Sequence, residues 1–393
     1  METLSVLAIT DALNCEKVFC KFLSANDTGE TGGHQSGIYI PKNSVSLIFD
    51  ENGIKGTNKE ETNKEIVWQN DNNFKTTACF KYYGQGTRNE YRITRFGRGF
   101  PFLQPEYTGA LVVILKMRDS SYKAYVLNSE DDIDAFLDYF GLSPAETNRL
   151  IGDDYIPLET KEKKAIAEFI KNIKGNFPTT KEMSLAAQLI QNTVYDHNEL
   201  IQSDPDKKLL DWSEVEYNLF RAIEQNRYGK IIAKGFKNME AFVEMANQVL
   251  NSRKSRAGKS LEHHLETLFQ GNNLQFSSQV ITEGNKRPDF IFPSVEAYNN
   301  LNFPTDKLIF LAAKKTCKDR WRQILNEADR LRSQQKFLCT MQPGITSSQL
   351  KEMKTEKIIL VVPAPYIETY PKECRGDIWS IKKFINYVKE KEA

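Results

Sequence analysis

Two short apolar runs, each bounded by a charged side chain, constrain this chain more than any other feature. The run 290–292 follows Asp289, and the run 308–313 ends at Lys314. Runs of this length, rich in aromatic and branched residues, predict buried β-strands. If the two strands are neighbours, the carboxylate of Asp289 lies beside the ammonium of Lys314. Such a pair is the core of metal-dependent phosphodiester cleavage, because the acid holds Mg²⁺ and the lysine steadies the attacking water or the charged phosphate.

A second carboxylate is needed for this chemistry, and it is absent from its usual place. The common nuclease pattern PD…(D/E)xK puts that acid two residues before the lysine, where this chain has Ala312. The segment 319–333 predicts a helix with an apolar stripe at spacings of three and four, and Glu327 falls at the edge of that stripe. We therefore expect Asp289 and Glu327 to bind the metal and Lys314 to be catalytic. A solvated ion pair on a surface helix is the alternative interpretation of Glu327.

Four longer stretches of the sequence resemble the EcoRII-type restriction endonucleases. They are KTCKDRWRQILNEAD at 315–329, RKSRAGKSLE at 253–262, TEGNKRPDF at 282–290 and SANDTGETGGHQ at 24–35. The resemblance implies a multidomain protein with a C-terminal α/β restriction-endonuclease-like domain, in which helices flank a central mixed sheet. It also implies an N-terminal DNA-binding pseudobarrel that acts as an effector domain. The spacing from Lys314 to Glu327 is similar to that of PD-(D/E)xK nucleases whose acid lies on the following helix.

Three consecutive residues after the predicted catalytic lysine, Lys318, Asp319 and Arg320, are suited to reading G·C pairs. Aspartate accepts from the cytosine amino group, and lysine or arginine donates to guanine in the major groove. In the family this element reads a CC:GG core around a central A·T pair. The alternative is a helix N-terminus capped by Asp319. Arg256, within one of the stretches that carry the resemblance, is a further expected DNA contact.

Glu262 lies in the first turn of a predicted helix and is a candidate outer member of the catalytic group. An acid that only stabilises the helix dipole is the alternative. The letters GKS at 258–260 do not form a phosphate loop, because the required glycine five residues earlier is replaced by Arg253. No nucleotide cofactor is therefore expected.

Two polar loops stand out in the N-terminal half, which otherwise carries short strand-like runs at 45–50, 65–69, 77–83 and 109–117. One loop is glycine-rich, and the other surrounds a single glutamate with arginines, which suits close approach to DNA and base reading. Ordinary surface turns and a solvated basic strand are the alternatives. The resemblance implies DNA contacts at His34, Tyr39, Arg88, Glu90 and Arg92.

Composition limits the class of protein. The 53 basic and 52 acidic residues argue against coating nucleic acid by bulk charge. Six cysteines without regular spacing indicate reduced thiols in the cytoplasm, and no apolar run approaches the roughly 18 residues of a membrane span. We predict an effector domain at 1–150, a helical linker at 151–177 and a catalytic domain at 178–393.

These observations predict a Mg²⁺-dependent type II site-specific deoxyribonuclease that cuts both strands at a short, CCWGG-like site. The resemblance adds a homodimer formed through the catalytic domain and an N-terminal half that binds a second copy of the site and relieves autoinhibition. A DNA-binding repressor without cleavage is the main alternative. A repair-type nuclease with weak sequence preference is the other.

Overall fold

The protein contains two β-sheets, one in each half of the chain. The structure, a computed structural model, describes residues 3–30, 37–71, 74–97, 99–152, 160–173, 175–283 and 286–392. Within these ranges no helix combines the length and apolar character that crossing a membrane requires.

The N-terminal half is built on an eight-stranded sheet with the strand order β2-β5-β4-β3-β7-β6-β1-β8. Its elements are α1 (Leu4–Asn14), β1 (Lys17–Phe22), β2 (Ile38–Ile40), β3 (Asn58–Trp68), β4 (Lys75–Tyr83), β5 (Glu90–Thr94), β6 (Leu111–Lys116), β7 (Tyr122–Leu127), α2 (Glu130–Phe140) and β8 (Arg149–Ile151). The expected β-rich character is confirmed. The strand predicted at 45–50 is wrong, because Lys42–Leu47 forms a 3₁₀ helix. A spacing of three places Ser44 and Leu47 on the same buried side of that turn.

The boundaries of α2 follow from its sequence. The Ser129 side chain accepts a hydrogen bond from the Asp132 amide at the N-terminus, and Gly141 ends the helix with φ of 68°. Three acids occupy the first turn, where the helix dipole stabilises negative charge. The helix therefore carries a dense negative face, and that face lies against the C-terminal half.

The C-terminal half contains a six-stranded mixed sheet with the order β14-β13-β12-β11-β10-β9. The strands β11 to β14 are parallel, and β10 pairs antiparallel with both of its neighbours, which confirms the expected mixed sheet. The elements are α3 (Thr160–Asn172), α4 (Thr180–Tyr195), α5 (Leu200–Ser203), α6 (Pro205–Lys234), α7 (Met239–Gly271), β9 (Ser277–Ser278), β10 (Phe290–Phe292), α8 (Val295–Asn299), β11 (Ile309–Ala313), β12 (Lys336–Cys339), α9 (Ser347–Thr355), β13 (Ile358–Val362), β14 (Trp379–Ser380) and α10 (Ile381–Glu392).

Alternation along the short central strands covers both faces of this sheet. Phe290 and Phe292 point to the layer that contains Phe269 of α7, whereas Ile291 belongs to the opposite layer with Trp321. Because both layers are apolar, the strands are fixed from two sides. The ends of β10 and β11 are therefore rigid supports for the charged residues beside them.

The helix α3 occupies the segment predicted as a linker, yet it is packed. Its Glu162 is 3% exposed and accepts hydrogen bonds from the Tyr195 hydroxyl and from Asn218 Nδ2, the latter at 3.1 Å. Ile166 joins an apolar cluster with residues of α4 and α6. This helix is thus part of the helical layer of the C-terminal half.

Candidate active site

The antiparallel pairing of β10 and β11 brings Asp289 and Lys314 together. Phe290 lies opposite Leu311, so the residue before β10 meets the end of β11. The Oδ2 atom of Asp289 accepts from the Ala313 amide at 2.8 Å and from Lys314 Nζ at 3.1 Å. Asp289 is 5% exposed. Backbone and side chain therefore fix this carboxylate in one orientation.

Glu327 lies at the same place, but not on the helix predicted for it. Its Oε1 atom is 3.9 Å from Lys314 Nζ. The continuous helix predicted over 319–333 is wrong, since the chain forms 3₁₀ helices at Arg320–Asn326 and Asp329–Leu331 with Glu327 extended between them. Ala328 follows with φ of 52°, which a continuous helix does not allow.

A buried lysine explains why this segment leaves the helical path. Lys336, at the start of β12, is 3% exposed, and its ammonium donates to the carbonyls of Ile324, Leu325 and Glu327. In a helix those carbonyls would accept from backbone amides four residues on. The ammonium replaces those donors, and the Glu327 side chain is left beside Lys314.

Glu262 of α7 joins the group through a residue that the sequence did not single out. Gln279 Nε2 donates to Glu262 Oε2 at 2.9 Å and to Asp289 Oδ1 at 2.8 Å. The structure therefore collects Asp289, Lys314, Glu327 and Glu262 around the ends of β10 and β11. Nothing in the local pattern around Gln279 identified it, because its partners are distant in sequence.

The charges in this group perturb one another. Burial, and then the charge of Asp289, raise the pKa of Glu262 to about 7. Burial raises the pKa of Glu327, and Lys314 only partly offsets it. Burial alone would lower the pKa of Lys314, but the carboxylates of Asp289 and Glu327 outweigh that effect and raise it. The protonated form of Lys314 is therefore favoured, and the two glutamates beside it are harder to ionise than usual.

The donor atoms suit a hard divalent cation, although among the described residues no three His, Cys, Asp or Glu side chains already form a metal-binding group. Oxygen ligands are what Mg²⁺ prefers. Among the described residues, the Oε2 atom of Glu327 has no hydrogen-bond partner although it is buried, which is costly unless a ligand or cation satisfies it. This orphaned oxygen, beside Asp289 and Lys314, is the feature that fits a cation.

The predicted base-reading triplet is covered by the N-terminal half. Glu130 Oε2 accepts from the amides of Asp319 and Arg320, both at 2.9 Å. The Arg320 guanidinium also pairs with Asp134, and the Lys318 ammonium donates to Asn128. Burial lowers the pKa of Lys318 to about 8. Asn128 and residues of α2 therefore occupy the contact groups of the predicted base-reading triplet.

Arg256 is also unavailable to DNA in this conformation. It is 2% exposed, and its guanidinium makes two hydrogen bonds to the Glu146 carboxylate, at 3.0 and 2.6 Å. Its other ion-pair partner, Glu216 of α6, lies 3.6 Å away and in turn contacts His264. The expected DNA contact is thus a buried ionic connection between the two halves.

The candidate DNA-contact residues of the N-terminal half lie around the β2–β5 pair. Tyr39 is opposite Arg92 in the register, and Arg92 is 3.3 Å from Glu90. Arg88 is exposed in the loop before β5. His34 lies outside the described residues. Tyr39, Glu90 and Arg92 are therefore neighbours on one edge of the sheet.

Comparison with known proteins gives matches in both halves. A family model described as EcoRII C terminal matches residues 220–385, and one described as restriction endonuclease EcoRII, N-terminal, matches residues 12–143. The chain is 37% identical to the type II restriction enzyme EcoRII of Escherichia coli, over 94% of each protein. Among solved structures it is similar to metal-depleted Ecl18kI in complex with uncleaved, modified DNA, with a TM-score of 0.45, 17% identity and coverage of 58% of this chain and 83% of that one. The PspGI–substrate DNA complex gives a TM-score of 0.43 and 17% identity, with 55% and 93% covered.

Proposed function

We propose, from the premise that this chain belongs to the EcoRII family of type II restriction endonucleases, that Asp289, Glu327 and Lys314 are the groups with which it cuts DNA. The main support for this proposal is that Lys314 Nζ lies 3.1 Å from Asp289 Oδ2 and 3.9 Å from Glu327 Oε1. These side chains come from three separate segments and meet where β10 begins and β11 ends. A set of partly desolvated charges of this kind is typical of a functional site.

Asp289 and Glu327 are the proposed ligands of Mg²⁺. When bound, Mg²⁺ supplies Lewis-acid stabilisation of the phosphate and lowers the pKa of a water molecule. The chain's own residues orient the reactants around it. Asp289 is held rigid by the Ala313 amide, and Lys314, which stays protonated, positions the attacking water by donating hydrogen bonds and opposes negative charge on the phosphate.

The recognition of DNA is proposed to involve Lys318, Asp319 and Arg320, with a CCWGG-like site as the resemblance implies. Their side-chain chemistry matches the edges of G·C pairs. Since α2 covers them, this structure corresponds to an inhibited conformation. The proposed activating event is binding of a second copy of the site by the N-terminal half, through Tyr39, Arg88, Glu90, Arg92 and His34, which moves α2 away.

The proposed homodimer has a candidate surface at the turn that joins α6 and α7. Ile232, Met239, Phe242 and Val243 are 58%, 69%, 48% and 47% exposed there. Contiguous apolar side chains of this kind mark an interaction surface, and a second copy of the catalytic half is the proposed occupant. Sedimentation equilibrium measures the mass of the protein in solution, and the mass of a monomer at micromolar concentration would contradict the proposed homodimer.

The free cysteines among the described residues agree with a reducing compartment, and we propose the cytoplasm.

Incubation of the full chain with unmethylated plasmid and Mg²⁺, followed by mapping of the ends, tests the function. We expect discrete ends at CCWGG, with cutting stimulated by an added short duplex that carries the site. Asp289→Ala should lower cleavage by at least about a thousandfold, because the rigid metal ligand is lost, and should keep binding to the site in Ca²⁺. Binding without cutting by the native protein would favour the repressor, and a smear would favour the repair-type nuclease.

A further inference from the structure

The chain positions Gln279 at the centre of the acidic group by an unusual backbone conformation. Gln279 follows β9 directly and has φ of 53°, in the left-handed region that few residues other than glycine adopt. Its amide N–H donates to the Asp289 carbonyl at 3.2 Å, beside the register pair Phe290 and Ser278. The left-handed turn costs about 1 kcal/mol or more. The β9–β10 pairing holds it, and as a result the side-chain amide lies between two carboxylates.

A single nitrogen connects Glu262 with Asp289. The two distances from Gln279 Nε2, 2.9 and 2.8 Å, place both carboxylate oxygens within hydrogen-bond reach of one donor group. Asp289 has further donors, because the Ala313 amide and Lys314 hold its other oxygen. Glu262 has a long side chain on a helix and faces the negative charge of Asp289. Without the amide, repulsion would favour rotamers that turn Glu262 away.

We infer that Gln279 is a positioning residue that holds the Glu262 carboxylate beside Asp289, so that Glu262 serves as an additional oxygen ligand, direct or through water, for the divalent cation of the cleavage reaction. The inference rests on the proposed function, since it presumes a cation at Asp289. It gives Gln279 no contact with substrate. Its effect on the cation passes through Glu262, and this route is what an experiment must detect.

The test compares Gln279→Gly with the native full chain. Glycine removes the side-chain amide and adopts the left-handed backbone without a Cβ, whereas alanine would keep the backbone strain. Gln275→Ala is the matched control, because Gln275 is exposed on the same segment and its backbone N–H donates to Glu392 of α10. A third variant, Glu262→Gln, and the double variant Glu262→Gln with Gln279→Gly complete a mutant cycle.

Two measurements are made on each variant. The first is the dissociation constant of Mn²⁺ without DNA, from the electron paramagnetic resonance signal of the free ion. The second is the Mg²⁺ concentration that gives half-maximal cleavage of the unmethylated plasmid. We expect Gln279→Gly to raise both values by about tenfold, Gln275→Ala to leave them unchanged, and the double variant to equal Glu262→Gln. Both Gln279→Gly and the control should unfold cooperatively in EDTA, which excludes loss of the fold as the cause of a weaker cation affinity.

Two results would overturn the inference. One is a Gln279→Gly variant with native values in both measurements. The other is an equal further loss when Gln279→Gly is added to Glu262→Gln, because Gln279 would then act independently of Glu262. Failure of the proposed function has a different signature, in which the native chain neither binds Mn²⁺ nor cuts the plasmid. If the native chain cuts DNA but Mn²⁺ binding is too weak to measure, the Mg²⁺ concentration for half-maximal cleavage alone tests the inference.

Discussion

At the scale of single residues, the acids of the candidate site differ in how completely the protein satisfies them. Asp289 accepts hydrogen bonds at both oxygens from Gln279, Ala313 and Lys314. In the described part of the chain, Glu327 keeps one buried oxygen without a partner, and Glu262 has a pKa raised to about 7. Ionised carboxylates in such surroundings are destabilising. The site therefore holds unfavourable charge that the proposed cation would relieve.

This imbalance predicts a pH dependence of stability for Glu262. Because its pKa in the folded protein lies above the ordinary value of 4.5, folding loses stability as pH rises from about 4.5 to about 7. Glu262→Gln removes the ionisable group. In EDTA the variant should unfold at a higher temperature than the native chain at pH 8 and at the same temperature near pH 4.5. The gain is at most about 3.5 kcal/mol, since the pKa is raised from 4.5 to about 7 and one pKa unit corresponds to roughly 1.4 kcal/mol.

Glu266→Gln is the control for this measurement, because Glu266 lies one turn further along α7 outside the acidic group. Its unfolding should follow that of the native chain at both pH values. A Glu262→Gln variant that is less stable than the native chain at pH 8 would contradict the assigned cause, since it would mean that the ionised carboxylate stabilises the fold.

The sequence predicted part of this site and missed the rest for identifiable reasons. Asp289 and Lys314 could be placed together because each borders a short strand, and neighbouring strands have few ways to pair. Glu327 lies where it was expected, but the helical argument for it was wrong, since Lys336 draws the carbonyls away. Gln279 could not be found, because its position depends on a left-handed turn and on partners in α7 and β10. The chemical roles of all four remain predictions.

At the scale of elements, α2 covers the surface that we propose to read DNA. Its side chains present Glu130, Asp134 and Asp138 to basic residues that follow β11. Lys315 Nζ lies 3.1 Å from Asp134 and 2.8 Å from Asp138, and Glu130 accepts from two backbone amides. Hydrogen bonds to charged groups contribute roughly 1.5–3 kcal/mol each when removed. The acids of α2 therefore neutralise basic residues that would otherwise be free to contact phosphates.

Removing two of these acids should weaken the contact between α2 and residues 315–320 and expose the proposed DNA-reading surface. The double variant Glu130→Ala with Asp134→Ala loses several charge-assisted hydrogen bonds between the halves, and each 1.4 kcal/mol shifts the equilibrium tenfold. We expect cleavage of a plasmid with a single site, without added duplex, to rise by about ten- to a hundredfold. Initial rates of linearisation measure it.

Asp131→Asn is the control for the acidic helix, since Asp131 is exposed on the same first turn. Asp131→Asn should leave the basal cleavage rate unchanged. If the overall negative charge of α2 inhibited cleavage, and not its specific contacts, this variant would raise the rate as well. Unchanged basal cleavage in the double variant, with normal stimulation by duplex, would show that α2 does not limit access.

Element boundaries followed from sequence where caps and periodicity agreed and failed where tertiary contacts dominated. The pattern of apolar residues over 378–391 predicts a helix, and α10 spans Ile381–Glu392. The segment at 45–50 has strand-like composition, yet the core takes its apolar side chains from a 3₁₀ turn. For short apolar runs, burial decides the conformation, and local propensity does not.

At the scale of the whole molecule, the two halves are joined by more than α2. Arg256 and Glu146 form a pair in which both side chains are 2% exposed, and the Ala25 amide donates to the Thr369 carbonyl at 2.9 Å. Glu30, at the start of the glycine-rich loop, accepts from the Ser347 amide at 3.3 Å. Breaking a buried ion pair leaves an uncompensated charge and is costly. We therefore expect all these contacts between the two halves to break together. The loop expected to touch the second DNA site is thus itself in contact with the catalytic half.

The packing of α3 determines where the chain can be divided. A catalytic fragment that begins at residue 178 lacks α3 and exposes apolar side chains of α4 and α6, whereas a fragment that begins at Thr160 keeps them covered. Each buried aliphatic or aromatic side chain contributes roughly 1.5–3 kcal/mol. The fragment 160–393 should therefore unfold at a higher temperature than 178–393, as circular dichroism can measure.

Both fragments should cut single-site plasmid without added duplex, because Lys318, Arg320 and Arg256 lose their partners in the N-terminal half. Equal unfolding temperatures would show that α3 is only a linker, and an inactive 160–393 fragment beside an active full chain would show that the N-terminal half is needed for cleavage itself.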